Sequence, residues 1–503
     1  MSYLGLDVGT TGSKAVVFDA EGNLLSTAYR EYPLMTPMPG GAEIDSVRVC
    51  QACLDVIREA ATACPNDPVR GIGISSQGEA FTPVSADGQI LANAMVSSDA
   101  RAESIVGPWS RQFGPQRLYE ITGHTSHPMF TLFKLLWLRD HQPDVWQAAA
   151  KFYCFEELIQ WRLGLEPAIS WPLAGRTMLF DVRKHEWDAD ILSEVGLDQA
   201  RLAPAVPSGT PVGTIPSSMA GELGLPEGVP VVAGGHDQPC GALGAGAVEP
   251  GVAMYATGTV ECICPAFDRP MLEESFFKNN LCTYDYTAGG MYTTVLFSLT
   301  GGNLLQWFRD QWGRAEVEEA DRTGANSYDL LLKCMESEPT ELLALPYFTP
   351  SGTPYFDAKT PGAILGLRMG TTRGQVLRAL LEGIALEMRL NVDILEDAGL
   401  NVREFRAIGG GAKNLTLTQL KADVLGRPIT TMAVAEAGCL GVAMLACAAD
   451  TGTPLAQLVE TWVKPQSVVE PNPKRAAFYQ ERFQAYKELY PAIRDYWNRT
   501  AKT

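Results

Sequence analysis

Asp7 interrupts an apolar run, Leu4-Gly5-Leu6-Asp7-Val8, and Asp237 follows another, Val229 to Ala233, by way of Gly234-Gly235-His236. A carboxylate in such surroundings costs free energy unless it is paired, hydrogen-bonded or on a metal. Both stand beside glycines: Gly9-Thr10-Thr11-Gly12 follows the first, and Gly234-Gly235 precedes the second. Two further turns of this kind are Thr257-Gly258-Thr259 and Gly409-Gly410-Gly411-Ala412. Glycines let the backbone approach a ligand closely, and free N–H groups with small hydroxyls suit phosphate oxygens. Singly, each turn reads as well as a structural turn, with an Asx-type bond accounting for Asp7. Together, four such turns after strands and two aspartates point to phosphate chemistry. Neither G-x-x-x-x-G-K-[ST] nor a strand-linked G-x-G-x-x-G is present, so P-loop and dinucleotide readings lack their fingerprint.

A third candidate region is the polar loop Ser76-Gln77-Gly78-Glu79-Ala80-Phe81, which leaves the apolar run Val69 to Ser75. Ligands of open α/β sheets sit outside the carboxyl ends of strands, where this loop falls. Cys50 and Cys53 have C-x-x-C spacing but lie in an amphipathic helical stretch with no second pair nearby. They read as buried thiols rather than a zinc or redox site. His124 and His127, with three other histidines in the chain, make an equally weak metal case.

The elements that must position these residues alternate between strand and helix. The first 25 residues predict strand-turn-strand-turn-strand. A helix follows from Asp45 or Ser46, either of which can cap it, to about Cys64. The pattern is helical from Pro108 to about Gly164, and Pro204 to Gly228, rich in Pro, Gly and Ser, reads as connecting surface. Gly251 to Cys264 repeats the strand, Gly-Thr turn, strand of the opening. Helices are predicted from Gly301 to Trp312, Thr371 to about Ala398, Glu436 to Ala448 and Lys474 to Trp497.

A chain of 503 residues exceeds one core and predicts two large domains. Its net charge of −18 argues against nucleic acid or anionic membrane as partners. Neither an apolar run of membrane-spanning length nor an N-terminal basic-then-apolar leader is evident, so a cytoplasmic protein is expected.

Leu6-Asp7-Val8-Gly9-Thr10-Thr11, Gly235-His236-Asp237-Gln238, Thr257-Gly258-Thr259 and Gly409-Gly410-Gly411-Ala412-Lys413-Asn414 resemble the FGGY carbohydrate kinases, as do Gln419 to Pro428 and Glu436-Ala437-Gly438. The resemblance spans nearly the whole chain in the family's order. It implies an α/β protein of the actin, hexokinase and heat-shock chaperone superfamily. Two ribonuclease-H-like domains, 1–246 for sugar and base and 247–503 for nucleotide, would enclose a central cleft.

By that resemblance Asp237 is the catalytic base that accepts the proton of the acceptor hydroxyl as it attacks the γ-phosphate of ATP. Asp7 faces Mg²⁺, with Asp237 as the second metal-side carboxylate, the ion keeping several waters. Thr10 and Thr11 face the phosphates from one domain, Gly258 and Thr259 from the other. Gly410, Gly411, Ala412 and Asn414 fall at the α-phosphate and adenosine end, and Gly301, Gly302 and Gln306 at the adenine and ribose. Gln77, Gly78, Glu79, Asp99, Asp237 and Gln238 are the candidate acceptor contacts, although an ion pair with Arg101 accounts equally for Asp99.

After the loop glutamine, xylulose kinases of the family carry Met-His and glycerol kinases Arg-Glu; here Gly78 and Glu79 stand in those places. Overall likeness favours a ketopentose such as D-xylulose. The alternatives are another polyol, ketose or sugar acid, or an actin- or chaperone-like nucleotide switch with no acceptor. The expected partners are a small-molecule sugar or polyol and, as one option, a second copy of the chain in a homodimer.

Overall fold

In the computed structural model, which describes residues 1–434 and 436–500, each half of the chain centres on a mixed sheet. The two sheets share one pattern of strand directions. In the first, the order across the sheet is Pro211–Thr214, Pro230–His236, Val69–Ser76, Ser2–Val8, Gly12–Asp19, Leu24–Glu31. Pro230–His236, Val69–Ser76 and Ser2–Val8 run parallel, and the flanking pairings are antiparallel. In the second, Val252–Thr257, Glu404–Ile408 and Ile429–Met432 run parallel. Glu261–Phe267 and Pro465–Val469 close them antiparallel on either side.

The echo between the opening unit and residues 251–264 is therefore a repeated topology. The parallel strands are buried on both faces, which is why they read as nearly continuous apolar runs rather than alternating ones. Both sheets turn the carboxyl ends of their parallel strands toward the region where the glycine turns gather. This two-domain α/β architecture leaves positions 435 and 501–503 of the expected second domain outside the described residues.

One helix ties the halves together. Ala437–Thr451 comes late in the chain but packs its buried Cys439, Leu440 and Val442 with Tyr3, Val16 and Phe18 of the first sheet. The contact is backbone to backbone: a Cβ on Gly5 or Gly73 would collide with the carbonyls of Cys439 and Val442. Glycine in these two strands is thus a condition of the helix lying flat on them.

Several expectations change in the structure. The helical stretch after Pro108 is broken by strand Ala149–Tyr153, which pairs with Thr82–Ser85. Its residues Lys151-Phe152-Tyr153 gain more from a half-buried sheet position than from a helix turn. The Pro- and Gly-rich stretch after Pro204 supplies edge strand Pro211–Thr214 and helix Ser217–Leu223. An edge tolerates the proline that a central strand would not. Asp45, not Ser46, caps helix Ser46–Thr62, accepting from Val47 N and Arg48 N. All eleven cysteines are free, and Cys50 and Cys53 are buried on that helix.

Candidate active site

Three neighbouring parallel strands of the first sheet end in Asp7, the Gln77 loop and Asp237. Asp7 lies opposite Ser75 in register, and the Ser75 hydroxyl donates to Asp7 Oδ1 at 2.7 Å. Burial raises the Asp7 carboxyl, against the lowering effect of Ser75 and Lys14. A bulge between Ala233 and Gly235 lets the third strand swing into helix Asp237–Gly244. The buried Glu156 carboxylate holds that bulge by accepting from Gly234 N at 2.6 Å.

A cavity of about 230 Å³ opens in front of these strand ends, lined from both halves of the chain. Thr10, Gln77, Gly78, Glu79, Asp237 and Gln238 line it, together with Arg176 and His236. The second half contributes an apolar wall that includes Val260, Cys262, Val295 and Phe297. Asp237 keeps 32% of its side chain open to the cavity, but its Oδ1 is shut off from solvent and makes no hydrogen bond. Desolvation in the cleft and the negative charges of Asp7 and Glu79 push the Asp237 carboxyl up to about 7.

Glu79 is held in the opposite state. It is buried, with its backbone at φ 63°. Arg176 Nε donates to its Oε1 at 2.5 Å and the Ser97 hydroxyl to its Oε2 at 2.6 Å. Burial works to raise this carboxyl, yet the charge of Arg176, reinforced by Lys134 and Ser97, holds it at about 2. Arg176 Nη1 also meets His124 Nε2 at 3.2 Å. Burial and the Arg176 charge lower His124 and His236 to about 3, so both rings are neutral near pH 7. Gln77 ties loop to loop: its Nε2 donates to Gly9 O at 3.0 Å, and its Oε1 accepts from the Thr10 hydroxyl at 3.1 Å.

Across the cleft the second sheet presents backbone. Thr257, Gly258, Gly301, Gly302 and Gly411 line a small recess whose floor includes a Lys421–Glu261 ion pair. Gly302 N donates to Gly258 O at 2.9 Å and Asn303 N to Thr259 O at 3.1 Å, sewing the turn to the start of helix Gly302–Trp312. Gly409 sits at φ 90°, where a Cβ would lie 2.6 Å from Thr257 O. Gly410 and Ala412 border a larger adjoining recess with Lys413 and Glu436.

Five candidates stand elsewhere, Thr259 among them, exposed and outside these linings. Asp99 is outside the cavity lining: its carboxylate binds Arg101 and accepts from Ala42 N at 2.7 Å, so the ion-pair account is the one the structure gives. Asn414 caps helix Leu415–Leu425 through Oδ1, and its Nδ2 donates to Asp329 at 3.1 Å. Gln306 is exposed and borders none of these recesses. Thr11 is exposed beyond the cavity rim.

Sequence reasoning missed Arg176, whose partner Glu79 lies 97 positions away. Glu79 reads in the sequence as part of a polar loop, and its burial, which demands a cation, is a tertiary fact. His124, weighed above as a metal ligand, instead meets that arginine. Among the described residues no group of three or more His, Cys, Asp or Glu could hold a metal ion. No helix there is long and apolar enough to cross a membrane.

The chain matches the FGGY family of carbohydrate kinases, N-terminal domain, over residues 2–244, and the C-terminal domain of the same family over residues 253–449. The chain belongs to this family. It is accordingly an ATP-dependent sugar kinase, with a small-molecule sugar as its acceptor. It is 27% identical to the xylulose kinase of Bacillus subtilis over 98% of both chains. It is 31% identical to the glycerol kinase of Alkalilimnicola ehrlichii over 89% of this chain and 90% of that one. Among solved structures it resembles the ligand-bound xylulose kinase from Lactobacillus acidophilus, with a TM-score of 0.90, 25% identity and 99% of each chain covered.

Proposed function

We propose that the chain transfers the γ-phosphate of ATP to a hydroxyl of a neutral ketopentose of the D-xylulose type, with Asp237 as the base. The observation that carries this reading is the Asp237 side chain, 32% open and lining a cavity that both domains enclose. The open part of the carboxyl lies outside the shielded Oδ1, so Oδ2 is the oxygen that meets an acceptor O–H. As the acceptor oxygen attacks the γ-phosphorus and the bond to the ADP oxygen breaks, the hydroxyl proton passes to Asp237. A carboxyl lifted to about 7 takes that proton more readily than an ordinary one.

Gly258, Gly302 and Gly411 offer backbone to the nucleotide, and Thr10 reaches the phosphates from the other side. Asp7 and Asp237 are hard oxygen donors on the same sheet whose charges repel at its strand ends, which suits a divalent cation beside both. These two, with water, would hold Mg²⁺, which supplies charge neutralisation at the phosphates.

Two features favour a neutral acceptor over a sugar acid. The cavity's arginine is already neutralised by Glu79, and its two histidines are uncharged. A carboxylate acceptor would meet no free cation and would face Asp237. Resemblance along the whole chain to a xylulose kinase favours the ketopentose. The test is product formation with ATP, Mg²⁺ and a panel of D-xylulose, D-ribulose, glycerol and D-gluconate. The highest kcat/KM is expected with D-xylulose; a preference for gluconate overturns the neutral-acceptor reading.

A further inference from the structure

His236 precedes the proposed base and is buried beside it, with Nε2 3.2 Å from Asp237 Oδ1 but not in hydrogen-bond geometry. Its other nitrogen, Nδ1, lies 2.9 Å from the hydroxyl of Tyr284, a fully buried residue on the second sheet. The space for the ring is made by Gly78, where a Cβ would stand 3.0 Å from the imidazole Cδ2 and Nε2. The Tyr284 segment is itself docked on the first half of the chain. Thr283 N donates to Gly123 O at 2.8 Å, the Tyr119 hydroxyl to Leu281 O at 2.8 Å, and His185 Nε2 meets Asp285 Oδ1 at 2.8 Å.

A carboxylate in the first turn of a helix is drawn toward the free N–H groups there. Asp237 occupies that place in helix Asp237–Gly244, so facing the cavity requires something to hold it sideways. We propose that His236 is this hold, a positioning residue for the base that is itself locked from the opposite sheet by Tyr284. An ionised carboxylate only accepts hydrogen bonds, so the ring proton belongs on Nε2, and Nδ1 then accepts from the Tyr284 hydroxyl. The tyrosine thereby fixes tautomer and tilt together. With Nε2 beside Oδ1, the ring sets the carboxylate rotation that leaves Oδ2 to the acceptor.

This inference rests on the kinase reading with Asp237 as base. It is tested on the full-length enzyme with Mg²⁺, ATP and D-xylulose, or the best acceptor of the panel, using Tyr284→Phe, His236→Ala and the double variant. Tyr284→Phe keeps the ring and removes only the hydroxyl. We expect it to lower kcat about tenfold, with both KM values within about twofold and thermal unfolding unchanged. His236→Ala should lower kcat about a hundredfold, and the double variant should be no worse than His236→Ala, because the tyrosine acts only through the ring. If Tyr284→Phe turns over within about twofold of the parent, or if the two losses multiply in the double variant, the inference is overturned. If His236→Ala does not fold, the kcat against KM split of Tyr284→Phe decides alone. A parent enzyme inactive on the whole panel overturns the kinase reading and this inference with it.

Discussion

The two faces of the cleft are made of different materials. On the face that the proposed function gives to the acceptor, Glu79, Arg176, His124 and His236 form a buried group of polar side chains, largely engaged with one another. On the face that the proposed function gives to the nucleotide, the turns at 257–259 and 409–412 offer glycine backbone, and the charged pair beneath them, Lys421 and Glu261, satisfies itself. A sugar is uncharged and is told from its isomers by the direction of its hydroxyls, so its site needs fixed, directional side chains. A polyphosphate is recognised by charge and by close approach, which bare backbone provides. Damage should therefore express itself differently on the two faces: in turnover and stability on one, in nucleotide affinity on the other.

The largest expected effect is at Asp237. Asp237→Asn should lower kcat by about 100- to 10,000-fold while ATP binding, measured by calorimetry, stays near the parent value. Loss of nucleotide binding in that variant would break the division between the faces. The same carboxyl should appear as the acid limb of kcat/KM. Raised to about 7, it must be ionised to act, so kcat/KM should fall about tenfold per unit below that pH. The sign for stability is opposite to that for activity. A folded-state carboxyl above its unfolded value contributes stability at low pH that is lost as pH rises through about 7. Glu79, held at about 2, contributes stability above the ordinary glutamate range that is lost only as pH falls through about 2.

Arg176→Leu leaves Glu79 buried without its cation. It should cost about 3–5 kcal/mol in denaturant unfolding, with acceptor KM rising in whatever protein folds. On the other face, Gly409→Ala puts a Cβ at a left-handed backbone position against Thr257 O. ATP KM should rise about tenfold, with acceptor KM unchanged and a stability cost of about 1–3 kcal/mol. The smallest effect is expected at Gln306. It is exposed and borders no recess, and Gln306→Ala should leave both KM values within about twofold. A tenfold rise in ATP KM there would extend the nucleotide face onto helix Gly302–Trp312.

Local sequence carried what local backbone geometry requires. The turns at 9–12 and 409–412 announce themselves because a Cβ at Gly12 or Gly409 would strike its neighbours, and Gly409 also sits at a positive φ. The strands before them announce themselves because burial on both faces demands unbroken apolar runs. Asp7 and Asp237 were legible as charged residues at the ends of such runs. The edge strand Pro211–Thr214 was not, since its composition is set by exposure rather than pairing.

Residue order alone thus determined that glycine turns follow buried strands, which strands deliver them, and that two aspartates stand beside them. Only the tertiary structure decided that Glu79 is a locked ion while Asp237 is a carboxyl near neutrality. It decided likewise that Asp99 belongs to Arg101, and that a tyrosine of the second sheet reaches His236. The physical reason is that a charge state depends on what surrounds a group in space. Arg176 stands 97 positions from Glu79, and Asp7 farther still from Asp237.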